Sequence, residues 1–123
     1  WGHAVIYVEA DLLWETGTML RLLGHLGAVD AVAPMSMRGD IFYDTWGHRA
    51  QGEHFTNHPP YHPMLEGYAG GLLPLESAGS CMVMRRAVAD VCTFDERDAM
   101  LGPSMAEHGF GLWLDPGVKV EHP

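Results

Sequence analysis

The chain predicts an α/β domain, and three observations carry that expectation. Val5-Ile6-Tyr7-Val8 is a short apolar run suited to a strand, leucines follow it at helical spacing, and Asp30-Ala31-Val32-Ala33-Pro34-Met35 reads as a second strand. Strand, helix and strand within about 30 residues make a βαβ unit, which implies parallel strands joined by a right-handed crossover. A chain of 123 residues holds one domain with a real core, so residues 1–123 are expected to fold as a single unit.

Each element has its own signal. In the first helix Leu12, Leu13, Met19, Leu20, Leu22, Leu23 and Leu26 recur on one face, with Thr16 placed to cap it and Gly27 to end it. From Ser36 to Leu75 the periodicity breaks down among Gly39, Gly47, Gly52, Pro59, Pro60, Pro63, Gly67, Gly70, Gly71 and Pro74, which predicts a long irregular loop over 36–75. Its aromatic residues, among them Phe42, Tyr43, Trp46, Phe55 and Tyr61, are too many for a solvated linker, and long loops in compact domains are usually functional or disordered. Order returns with a strand ending at Met84 and a short helix over 85–91. Gly102-Pro103 opens another helix that Gly109 ends, Pro being suited to the first helical position. Two closing strands, 111–114 and 118–121, are expected around the turn Asp115-Pro116-Gly117.

Composition excludes several classes. With 47% hydrophobic and 19% charged residues the chain is globular, and no apolar run approaches the roughly 20 residues that span a bilayer. The first residues carry no Lys or Arg, so no signal peptide is expected and a cytoplasmic location is. A formal charge of −9 argues against nucleic acid as a partner and leaves any anionic ligand dependent on a cation or on the Arg85-Arg86 pair. Cys81 and Cys92 sit in apolar contexts and read as free buried thiols.

The chemistry begins where the first strand ends. Glu9 and Asp11 are spaced i, i+2, so on a strand both face one way and can reach one cation; oxygen pairs of this kind suit Mg²⁺ or Mn²⁺. The plainer reading is that they end the strand and cap the helix after it.

Further marks then appear in order: an aromatic-rich loop, Ala78-Gly79-Ser80-Cys81-Met82-Val83-Met84-Arg85-Arg86, the turn Phe94-Asp95-Glu96, and a closing Val118-Lys119-Val120-Glu121-His122. Together they resemble the catalytic half of GT-A fold glycosyltransferases of the family 2 type. Glu9-Ala10-Asp11 is similar to that family's DxD motif, and the His that often completes its metal site is matched by His122. The resemblance implies a partial GT-A, Rossmann-like sheet with flanking helices. It also implies a metal-dependent transfer of sugar from a nucleotide-diphosphate donor to an acceptor. Glu9, Asp11 and His122 would hold Mn²⁺ or Mg²⁺, and imidazole among the ligands leans towards Mn²⁺. Asp98 would be the general base with Glu96 as the second candidate, while Ser80, Arg85 and Arg86 would belong to the donor site. Tyr43 and Trp46 fit stacking on a sugar, or else ordinary packing under the loop. The family's nucleotide-reading N-terminal strands have no counterpart in this sequence, so a complementing N-terminal half or a homo-oligomer is expected.

Two rivals come from other classes. The chain could be a non-catalytic binding or assembly module with the same ancestry, its sheet edge covered by self-association. Alternatively, His48, His54, His58 and His62 could gather a metal such as Zn²⁺ from the loop, although Pro59, Pro60 and Pro63 exclude a helix through them.

Overall fold

Side-chain alternation along the central strands organises the computed structural model, which describes residues 3–95 and 100–123. In chain order the elements are β1 (Ala4–Val8), α1 (Thr18–Gly24), β2 (Ala31–Arg38), β3 (Ile41–Phe42), β4 (Arg49–Ala50), β5 (Glu53–His54), β6 (Leu73–Leu75), β7 (Cys81–Arg85), α2 (Arg86–Val91), α3 (Gly102–Glu107) and β8 (Leu112–Glu121). The fold is mixed α/β. Five strands form a sheet in the order β1-β7-β2-β8-β6, with β3 paired to β2 as the sixth.

Ala31, Ala33, Met35 and Met37 of β2, with Met82 and Met84 of β7, face one side and pack with Phe42, Phe55, Val88 of α2 and Met105 of α3. Val32, Cys81 and Val83 face the other side and meet Leu22 of α1. The period of two along each strand thus makes two cores, one on each face of the sheet. Leu22 is fully buried, whereas Leu20 is 74% exposed although both fall in the apolar pattern of the sequence.

Several expectations are corrected. β1 and β2 do run parallel, but β7 lies between them and is antiparallel to both. An uninterrupted apolar run looks the same in an interior strand and at an edge, and β1 is at the edge with Val5, Ile6 and Tyr7 exposed. The first helix starts only at Thr18. Gly17 precedes it in a left-handed conformation, no side chain caps it, and Leu13 instead bridges to Glu121.

Residues 36–75 are also more ordered than a loop. β2 continues to Arg38 because Ser36 and Met37 pair with Val120 and Glu121 of β8. β4 and β5 form a hairpin across Gln51 and Gly52, both at positive φ, as a tight two-residue turn requires. Pro74 is tolerated in β6 because that strand lies at the far edge of the sheet.

The closing segment is one strand with a bulge. Pro34 faces Asp115 and Met35 faces Lys119, leaving Pro116, Gly117 and Val118 without partners on β2. Asp115 makes that bulge possible: its carboxylate accepts from the Gly117 N–H at 3.0 Å and pairs with His25 Nε2 at 2.8 Å and Arg21 Nε at 3.3 Å. No helix among the described residues is long and apolar enough to cross a membrane. Both cysteines are free, Cys81 buried and Cys92 half-buried.

Candidate metal centre and adjoining cleft

β1 ends at Val8, and the Glu9 N–H still donates to the Ser80 carbonyl at 2.9 Å, which holds Glu9 beside β7. The chain then turns at Ala10–Asp11, so the two carboxylates meet through a turn and not through the pleat of a strand. Leu13 anchors the far side of this turn by exchanging two backbone hydrogen bonds with Glu121, at 2.8 and 2.7 Å. Asp11 is thereby carried to the end of β8, where His122 follows. The His122 N–H donates to the Met37 carbonyl at 2.7 Å, fixing its backbone to β2.

Three side chains from the two ends of the chain converge as a result. One ligand atom from each of Glu9, Asp11 and His122 lies within 4.8 Å of the others. His122 Nε2 is 3.3 Å from Glu9 Oε2 and 3.6 Å from Asp11 Oδ1. The imidazole is 8% exposed, while the carboxylates are 44% and 60% exposed, so the donors open outward from a fixed nitrogen. Tyr43 holds that ring flat, its own ring stacked at 3.6 Å between centroids and 14° between planes. Arg38 lies over Tyr43 at 5.4 Å. Two carboxylate oxygens and one imidazole nitrogen, with space beyond them, fit a hard or borderline divalent cation that keeps open positions.

Beside this trio lies a cleft of about 430 Å³, walled by Tyr7, Tyr43, Trp46 and Phe94, with Glu9 at its margin and Asp44 in its lining. A larger groove of about 780 Å³ runs along Leu13–Thr18 and Gly117–Glu121, but it contains none of the three donors.

The other residues singled out from the sequence divide clearly. Tyr43 and Trp46 both line the cleft, although the Tyr43 ring is engaged by His122 and the Trp46 indole stacks on His54. Arg85 and Arg86 are not brought to the trio. Val8 faces Cys81 and Ala4 faces Arg85, so the arginines sit at the opposite end of β1 and β7 from Glu9. There Arg85 donates to the Leu26 carbonyl at 2.7 Å and Arg86 pairs with Asp90 one helical turn on. Ser80 is fully buried and turned towards Asp44. Asp98 and Glu96 lie outside the described residues.

The loop histidines do not gather. His48 Nδ1 accepts from the Gly79 N–H at 3.2 Å, so its Nε2 donates to the Pro34 carbonyl at 3.0 Å. His62 likewise uses both ring nitrogens, one with Met64 N and one with the Ala50 carbonyl. Among the described residues the group of three or more His, Cys, Asp or Glu placed to hold a metal is Glu9, Asp11 and His122. Burial lowers the His48 pKa, against the opposing pull of Asp44 and the Pro34 carbonyl. Burial, with Asp44 adding to it, pushes the Cys81 thiol up to about 12.

Reasoning from the sequence missed Asp44. An isolated Asp in a glycine-rich stretch carries no periodic or motif signal, and its environment comes from residues 36 positions away. The class that fold and site define is a mixed α/β domain with a carboxylate–imidazole trio at one end of its sheet. No family model matches the chain, and no curated protein matches its sequence.

Proposed function

We propose that this domain is the metal-binding part of a glycosyltransferase-like enzyme that moves a sugar from a nucleotide-diphosphate donor to an acceptor. The observation that carries this reading is the convergence of Glu9, Asp11 and His122 beside an aromatic-walled cleft. A Mn²⁺ or Mg²⁺ ion held by the three would offset the negative charge that collects on a departing diphosphate.

The chain's own groups divide the work. Glu9 and Asp11 supply exposed carboxylates, while the stacked Tyr43 keeps His122 Nε2 aimed at the same point. Trp46 is 65% exposed and presents ring surface that a sugar's C–H face can cover. A carboxylate base is needed for the acceptor hydroxyl, and Asp98, with Glu96 second, remains our proposal for it. Arg85 and Arg86 have no part in this scheme, because they sit at the wrong end of the strands.

Calorimetric titration of the purified protein with UDP and GDP, with and without Mn²⁺, tests the reading. Metal-dependent binding that is lost in Asp11→Asn supports it. Absence of nucleotide and Mn²⁺ binding in a folded sample overturns it.

One observation favours a second reading, an assembly module. β1 is an edge strand whose Val5, Ile6 and Tyr7 are 36–43% exposed, an arrangement that pairs readily with another strand. On that reading a second copy covers β1, and Ile6→Lys converts a dimer to a monomer in sedimentation. A wild-type chain that is monomeric at high concentration rules it out.

A further inference from the structure

We propose that Asp44 is the specificity-determining residue of the cleft, its free oxygen accepting a hydrogen bond from a hydroxyl of the transferred sugar. The assignment rests on the glycosyl-transfer reading above and adds what the trio cannot supply, recognition of the sugar itself.

Three observations lead to it. First, Asp44 is only 8% exposed and its two oxygens are used unequally. Oδ2 accepts from the Ser80 N–H at 2.9 Å and from the Ser80 hydroxyl. Oδ1 receives no hydrogen bond among the described residues. Arg49 Nε is the fully buried side-chain polar atom lacking a partner there, so Asp44 Oδ1 is reached from outside. Asp44 is among the residues that line the cleft.

Second, the backbone around the carboxylate is shaped to press on it. A β-carbon on Gly79 would lie 2.5 Å from Asp44 Cγ and 2.6 Å from Oδ1. One on Gly47 would lie 2.5 Å from Gly79 Cα. Two glycines face each other so that the loop and the start of β7 can close on Asp44. His48, whose Nδ1 accepts the Gly79 N–H, braces the same contact from beneath.

Third, stability does not explain the arrangement. A buried carboxylate with half of its acceptor capacity open is costly, and a partner-saturated or apolar side chain would serve the core better. Asp44 instead lines a space walled by Tyr7, Trp46 and Phe94. Aromatic walls take C–H faces, and a carboxylate takes O–H donors and repels phosphate. A polyhydroxylated, uncharged group satisfies both demands. The diphosphate of a donor then falls to the side of the trio and its cation.

Asp44→Asn is a directed test. The Ser80 N–H still needs an acceptor, so the amide oxygen stays there and the NH₂ turns to the cleft, replacing an acceptor with a donor. The probes are UDP, UDP-glucose, GDP and GDP-mannose with Mn²⁺, titrated into wild type, Asp44→Asn and Ser80→Ala. In wild type the sugar is expected to tighten binding over the bare nucleotide by about tenfold, as one hydrogen bond to a charged group allows. Asp44→Asn is expected to abolish that increment while nucleotide affinity stays within about twofold of wild type. Ser80→Ala keeps the backbone N–H contact and the fold but loosens the carboxylate, and is expected to lose part of the increment. It carries the test if Asp44→Asn does not fold. An undiminished increment in the folded variants overturns the role of Asp44 and leaves the glycosyl-transfer reading standing. Wild type that binds no nucleotide with Mn²⁺ overturns that reading and this assignment together.

Discussion

Two carboxylate–histidine groupings sit near β8, and they have opposite characters. At the bulge, Asp115 is 4% exposed and its oxygens are taken up by His25, Arg21 and the Gly117 N–H. At the strand's end, Glu9 and Asp11 are 44% and 60% exposed around His122, and no Lys or Arg ion pair with either carboxylate is present among the described residues. Both places pair a carboxylate with an imidazole, but Arg21 is added only at the bulge. The difference is whether the oxygen lone pairs are already spent on the fold. Asp115 shapes a strand, whereas the trio keeps its acceptors together and facing outward.

The largest effect should come from breaking the saturated group. Asp115→Ala removes charged hydrogen bonds and orphans the Gly117 N–H, and should destabilise the domain by about 2–3 kcal/mol in urea unfolding. Glu9→Gln and Asp11→Asn, in contrast, should stay within about 0.5 kcal/mol of wild type without metal. A comparable loss in those variants would show that the trio is structural too, and the contrast would fail.

Metal provides the next effect. Mn²⁺ at a hundredfold excess over its Kd should stabilise wild type by about 2.7 kcal/mol, read as a raised Tm. Asp11→Asn should weaken Mn²⁺ binding by at least the about 10–100-fold usual for losing a mere supporting contact of a ligand. Asp115→Asn, if folded, should leave it unchanged.

Tyr43→Leu sharpens the comparison further. It removes the ring that holds His122 but none of the donors, so Mn²⁺ affinity should fall by about tenfold with little change in stability. Equal Mn²⁺ affinity in this variant would mean that the stacking does not orient the imidazole.

The smallest effect concerns a histidine with no such freedom. Burial lowers the His48 pKa, so the unfolded chain binds a proton there that the folded chain refuses. The stability it confers is full above about pH 6.5 and is lost as pH falls below that towards the lowered value. The ring should keep its neutral-state NMR shifts well below pH 6.5. Titration with a midpoint at the ordinary histidine value would contradict this.

Much of the trio was legible because its members carry local signals: Glu9 and Asp11 end an apolar run, and His122 ends an alternating one. Arg85 and Arg86 show the limit of such signals. Arg85 ends β7 and Arg86 follows it, but β1 is antiparallel to β7, so the end of β7 meets the start of β1. Strand direction, which spacing does not reveal, separates them from Glu9.

The amino-acid order alone determined what depends on neighbours in sequence: strands at β2 and β7, the helix α3 that Gly102-Pro103 opens and that stops before Gly109, and the globular α/β class. Tertiary structure decided what depends on partners distant in sequence. It set β1 at an edge, drew Leu13 out of a helical pattern to pair with Glu121, and carried Lys119 past a bulge to face Met35. It also closed Gly79 over Asp44. Each of these is a long-range pairing whose stability comes from hydrogen bonds and contacts absent from any local window, so no local pattern could announce it.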